Sequence, residues 1–227
     1  WSNCCHRWRQ RPSVMAIPPW CPRRANAGPG WAWCSGASNA CSIPAAGCGH
    51  TLKQYGELLD GSHGAGFASQ VRDVHEYLAE LGLSESFRAS LRPLQHADGQ
   101  SATADNPVVV AYHDACHMIH GQGISAEPRQ LLRAIPHLQL REATEAGVCC
   151  GSAGIYNLVQ PEEAAALGQI KAADLKSTGA ELVASANIGC TLQLRRHLPQ
   201  AEGPHQRTPS VAHPMELLHR SASGGKA

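Results

Sequence analysis

No uninterrupted apolar run in these 227 residues approaches the length of a membrane-spanning helix. Nor does Trp1 to Arg11 carry a secretory signal, being polar and cysteine-bearing with no apolar stretch behind it. The sequence therefore predicts no direct membrane insertion and a cytoplasmic chain that meets a membrane only through partners. Charge of one sign is missing too. Lys and Arg number 19 against 18 Asp and Glu, a formal net charge of +1, which gives no electrostatic basis for binding nucleic acid or an anionic surface. Catalytic signatures are also absent. Gly121-Gln122-Gly123 lacks the third glycine and the preceding strand of a dinucleotide fingerprint. No serine sits in a nucleophile elbow, and Glu142, Glu145 and Asp174 show no pairing suited to acid–base chemistry.

What the chain does have is ten cysteines. In a reducing compartment these read first as metal ligands, buried thiols or redox groups rather than as a disulfide framework. Cys116, the Cys149-Cys150-Gly151 triplet and Cys190 each follow a segment that reads as a β-strand. Two neighbouring cysteines suit a polynuclear cluster, because each sulfur can take a different metal atom. A lone zinc ion prefers a two-residue spacer that is lacking here. The competing reading is four small buried hydrophobes, which accounts for any one of them but not for four at equivalent places.

Residues 1–44 hold all five tryptophans, Cys4, Cys5, Cys21 and Cys34, and follow neither a helical nor a strand period. They read as an irregular, poorly packed arm, foreign in composition to the rest. Order begins at Ala45, where Gly47-Cys48 opens a short helix; Gly189-Cys190 repeats that phrase with a downstream leucine, which suggests two copies of one module. The repeat makes Cys48 a candidate metal ligand as well. Residues 45–91 then read as the remnant of a first module with a connecting helix over Phe67 to Leu81, stopped by Gly82. Residues 92–107 read as a linker, 108–221 as a second module and 222–227 as a tail.

In the second module Val108 to Tyr112 is a β-branched run suited to a strand buried on both faces. Pro128 opens a helix, and Leu138 to Arg141 is a strand. Pro161 followed by Glu162 and Glu163 starts a helix that runs to Gly179. Glu181 to Ala186, a helix from Cys190 to His197, then Val211 to His213 and Pro214 to His219 complete the alternation. The predicted class is α/β, a parallel sheet with flanking helices and the cysteines at the carboxyl edge of the strands, where ligands bind in such folds. His113, His117 and His120 are read as neighbours of a centre, hydrogen-bonding sulfur or backbone, rather than as ligands.

Tyr112-His113-Asp114-Ala115-Cys116-His117, Cys149 to Asn157 with Gln160-Pro161, and Ala186 to Cys190 resemble the cysteine-rich CCG domain family. The branch they resemble is that of the iron-sulfur subunit of glycolate oxidase, or glycolate dehydrogenase, and the family also takes in lactate-utilisation and heterodisulfide-reductase-type subunits. The resemblance implies an iron-sulfur cluster of the 4Fe-4S type held by Cys116, Cys149, Cys150 and Cys190. It implies electron transfer in a non-catalytic subunit, and flavoprotein subunits of a glycolate oxidase complex as partners. Ala45 to Leu59 resembles the end of the first of two CCG domains, so a C-terminal fragment of a longer subunit is expected, unable to oxidise glycolate alone. The family pattern often ends in Cys-x-x-Cys, whereas Gln193 stands in the last position here. Zinc, or a metal-free scaffold that docks the flavoprotein, stays as the alternative.

Overall fold

The computed structural model describes residues 33–34, 41–59, 62–200 and 207–224. Its centre is a four-stranded sheet built from β4 (Val108–His113), β5 (Leu138–Glu142), β6 (Leu182–Ser185) and β7 (Ser210–Ala212), in the order β5-β4-β6-β7. All three pairings are parallel. The expected α/β class and parallel sheet are therefore observed.

The β-branched run becomes the central strand because both of its faces are covered. Val108, Val110 and Tyr112 turn to one side, where they meet Leu131 and Leu132 of α7 (Ala126–Leu132) and Leu217 and Leu218 of α11 (Pro214–Ala222). Val109 and Ala111 turn to the other, against Ala172 and Leu175 of α9 (Pro161–Ser177) and Leu194 of α10 (Ile188–His197). Alternate side chains of a strand take opposite faces, so one run feeds two cores. The chain leaves β4 through α7 toward β5, then returns through α9 to β6 and onward through α10 to β7. Helices on opposite faces for opposite directions of travel are what right-handed crossovers require. The connections from β4 and β6 thus diverge, and the switch point of the sheet lies between their carboxyl ends.

Two expected boundaries change. The helix predicted over Phe67 to Leu81 is interrupted: α3 (Ser62–Ala68) is followed by a strand, β3 (Val71–Asp73), and only then by α4 (Val74–Leu81). Asp73 stops the run by capping α4, its carboxylate accepting from the His75 N–H at 2.9 Å while Glu76 reaches back to the Asp73 N–H at 3.1 Å. Gly82 ends α4 as expected, with φ of 70°. The irregular arm lies mostly outside the described residues, but within it Cys41–Ile43 forms β2, a fully buried strand. β2 pairs antiparallel with β1 (Trp33–Cys34) and parallel with β3, making a second, three-stranded sheet.

Residues 45–91 are fastened to residues 108–221. α1 (Ala46–Lys53) follows β2, and the Ala46 N–H donates to the Ala186 carbonyl at 3.2 Å. The short α2 (Tyr55–Leu58) extends α1. Leu78 of α4 and Phe87 of α5 (Glu85–Ser90) pack on the main core. The stretch read as a linker is held as well: Leu94 and Ala102 are buried, and Arg92 exchanges two hydrogen bonds with Ser221. The two halves also repeat one order of parts. A strand, a helix bearing Gly-Cys, a parallel strand and a helix opened by a capping box occur once around Cys48 and once around Cys190, with Asp73 and Glu76 matched by His213 and Glu216.

Candidate metal centre

The divergence of the chain at the switch point decides what gathers there. Cys116 opens α6 (Cys116–Ile119) just past β4, and Cys190 lies in the first turn of α10 just past β6. Cys149 and Cys150 arrive in the loop between β5 and α8 (Tyr156–Val159). The thiols interact in a chain, Cys116 with Cys149, Cys149 with Cys150 and Cys150 with Cys190. Cys150 and Cys190 are only 2% and 3% exposed, while Cys116 and Cys149 are half-buried. Cys48 is exposed on α1. Of the five candidate cysteines, Cys150 and Cys190 are the two whose ligand atoms fall within 4.8 Å of each other in one tight group, with His113 as its third member.

Gly151 is what lets the loop reach its place. Its φ of 82° is in the left-handed region, and a Cβ there would fall 2.2 Å from the Ala164 carbonyl oxygen on α9. Two polar residues of α9 hold the preceding turn. The Asp174 carboxylate accepts from the Thr144 and Glu145 N–H groups at 2.9 and 3.0 Å. Lys171, 1% exposed, donates its ammonium to the Glu145 carbonyl. A buried lysine survives only where its charge is paired and hydrogen-bonded, and here it keeps company with Asp174 at 3.6 Å.

Two donors address the sulfurs directly. The Gly151 N–H points to Cys149 Sγ at 3.4 Å, and Asn187 Nδ2 to Cys190 Sγ at 3.3 Å. The Asn187 Oδ1 accepts in turn from the Gly47 N–H at 3.3 Å, so α1 helps to fix the amide.

His113 is the residue that sequence reasoning set aside. It closes β4, is 2% exposed, and neither ring nitrogen has a hydrogen-bond partner. Its ring lies with Cys150 and Cys190, the three ligand atoms all within 4.8 Å of one another. Burial, with the Lys171 ammonium nearby, lowers its pKa to about 4. His117, by contrast, stacks on His50 with ring centroids 5.3 Å apart, and His120 is exposed. Gln193, at the place of the family's last cysteine, is buried and donates to the Ala164 carbonyl at 2.9 Å.

The electrostatics of the thiols explain what they need. The Cys150 contact and burial push Cys149 well above the ordinary thiol range. Cys149 pulls Cys150 down, but Cys190 and burial outweigh it and push Cys150 up to about 12. Burial and the Cys149 neighbour raise Cys116. Only Cys190 is lowered, by the Cys150 contact and despite burial, with Asn187 assisting. Three of the four thiols are thus held toward the neutral form and Cys190 is drawn toward the thiolate. A metal cation reverses this by binding them as thiolates. Soft sulfur donors, an adjacent pair among them, and an unpartnered buried imidazole fit an iron-sulfur centre or zinc and do not fit a hard cation.

A doubly wound parallel sheet with thiols gathered at its switch point defines a cysteine-rich α/β domain. Residues 110–195, from β4 to α10, match the profile of the cysteine-rich domain family CCG. The chain is 35% identical over 156 residues to the probable glycolate oxidase iron-sulfur subunit of Bacillus subtilis, covering 66% of this chain and 32% of that protein. It is 28% identical over 191 residues to the glycolate oxidase iron-sulfur subunit of Escherichia coli, covering 84% and 42%. It is 32% identical over 157 residues to a fumarate reductase (CoM/CoB) subunit of Methanothermobacter marburgensis, covering 67% and 27%. The chain thus spans less than half the length of each of these relatives. No helix among the described residues is long and apolar enough to cross a membrane.

Proposed function

We propose that this chain serves as the CCG-domain part of an iron-sulfur electron-transfer subunit in a flavin-dependent glycolate-oxidising complex, with Cys116, Cys149, Cys150 and Cys190 as the cysteine ligands. The observation that carries this reading is the gathering of those sulfurs at the switch point of the sheet, supported by the names of the relatives. An iron-sulfur centre of the 4Fe-4S type bound there accepts and releases single electrons. The chain supplies the thiolates, and the Gly151 and Asn187 N–H groups steady two of the sulfurs and moderate their charge. Oxidation of a 2-hydroxy acid removes a hydride equivalent, which belongs to a flavoprotein partner that hands electrons on one at a time. Anaerobic loading of the chain with ferrous iron and sulfide, followed by iron, sulfide and zinc analysis and electron paramagnetic resonance, tests the reading. A stoichiometric, redox-active iron-sulfide centre supports it. A chain that takes up neither iron nor sulfide overturns it.

A second reading has one observation in its favour. The His113, Cys150 and Cys190 donors are close enough to share one ion, an arrangement that suits zinc. In that case the chain is a zinc-stabilised scaffold that docks the flavoprotein and carries no electrons. Zinc retained to the exclusion of iron and sulfide in the same analysis would select it.

A further inference from the structure

His113 has no role in the cysteine-only ligand set, and its surroundings do not account for it. A fully buried imidazole ordinarily finds a partner for at least one nitrogen, because an unmet buried donor or acceptor forfeits the hydrogen bonds that water gave it. Here both nitrogens lack one. Beside the ring lie the sulfurs of Cys150 and Cys190, with the Lys171 ammonium also near. Two donors on one metal ion can stand no farther apart than about twice the metal–ligand distance, about 4.6 Å for sulfur. The three donors here lie within 4.8 Å of one another, near that limit.

We propose that His113 is itself a ligand: one ring nitrogen and the sulfurs of Cys150 and Cys190 share one metal ion, and Cys116 and Cys149 hold the remainder of the centre. The backbone arrangement makes this possible. β4 and β6 are paired, with His113 opposite Ser185 at their carboxyl ends, so the last residue of one strand faces the helix start that carries Cys190. Replacing a thiolate by neutral imidazole leaves the centre less negative and raises its reduction potential, as histidine ligation does in other iron-sulfur centres. The inference rests on a metal centre being bound at this site.

The full chain, labelled with 15N-histidine and loaded anaerobically with ferrous iron and sulfide, or with zinc alone, provides the test. Pulsed electron paramagnetic resonance reads nitrogen bound to iron, and X-ray absorption at the zinc edge reads nitrogen bound to zinc. The wild type should show one directly bound histidine nitrogen. His113→Ala should lose it together with at least about tenfold in metal affinity, the lower end of the effect of disturbing even outer partners of a metal site. His113→Cys guards against simple misfolding. It should keep its metal, lose the nitrogen signature and, with iron, shift the reduction potential downward. A loaded wild type with no bound nitrogen, or a His113→Cys variant that retains the signal, overturns the proposal while leaving the iron-sulfur or zinc reading intact. A wild type that binds neither iron with sulfide nor zinc overturns both together.

Discussion

Asp114, two residues before Cys116, and Arg129 form a two-bond ion pair, Oδ1 and Oδ2 accepting from Nη1 and Nη2 at 2.9 and 2.6 Å. The carboxylate belongs to the turn between β4 and Cys116, and the guanidinium to α7. Arg129 also donates to Glu142 at the end of β5, from Nε at 2.9 Å and Nη2 at 2.7 Å, and lies 4.7 Å from the centre of the Tyr112 ring. One side chain thus ties the carboxyl ends of two strands to the helix that joins them.

Arg129→Ala should destabilise the domain by about 3–5 kcal/mol, because it leaves Asp114 buried and unpaired. Glu142→Gln, at the exposed end of the network, should cost about 1 kcal/mol or less. Urea unfolding of both variants measures the contrast. Equal losses would show that Asp114 is not the buried anchor described here.

Gly151→Ala should be far costlier than Gly154→Ala. Both glycines have positive φ, at 82° and 66°, but a Cβ at Gly154 meets nothing within 4 Å, whereas at Gly151 it meets backbone at 2.2 Å. Gly154→Ala should cost about 1 kcal/mol for its conformation alone. Gly151→Ala must in addition displace Cys150, so metal content should fall with stability. Retained metal in Gly151→Ala would disprove the close packing of the loop on α9.

Cys150→Ser should reduce both bound metal and resistance to unfolding, since binding energy at such a site is also folding energy. Cys48→Ser should change neither, because Cys48 is exposed on α1. Elemental analysis of the two variants decides the matter, and a loss in Cys48→Ser would restore that residue to the ligand set.

Acid should weaken the fold between about pH 6.5 and 4. Burial and the His75 ring lower the His213 pKa from 6.5 to about 4. Between those values the unfolded chain binds a proton that the folded chain refuses, so stability is complete above the unfolded pKa and declines as pH falls. The neutral ring is needed: its Nδ1 accepts from the Met215 N–H at 3.1 Å and caps α11. His213→Asn keeps a capping side chain without a titrating one. It should flatten, though not abolish, the loss of urea stability from pH 7 to 5, since His113 is held neutral in the same way. An unchanged slope would remove His213 from the account.

Those elements that announce themselves locally were legible from the residues. The β-branched run of β4 has no helical period, and Pro161 with two glutamates marks the start of α9 by its own chemistry. β3 was not legible, because Val71, Val74, Leu78 and Leu81 keep a helical spacing straight through it. Only its pairing with β2 makes Val71–Asp73 a strand. β2 itself is three residues long and lies beside a stretch with no periodicity at all. The site divides in the same manner. Cysteines declare their chemistry by type and spacing, whereas the meaning of His113 depends on Cys150 and Cys190, residues that only the sheet order sets beside it. Alternation along β4 places the ring, but no local signal distinguishes a ligand from a core histidine.

The hydrogen bond from the Gly47 N–H to Asn187 spans 140 positions of the chain. Ala46, wholly buried, sits in one apolar cluster with Cys150 and Cys190. During synthesis the residues of α1 emerge well ahead of their seat beside β6 and α10. Contacts this far apart in sequence close late, because the loop entropy is spent before they give anything back. The sulfurs of Cys116, Cys149 and Cys150 therefore all leave the ribosome before the wall over them can be finished. For that interval the growing chain carries open thiols.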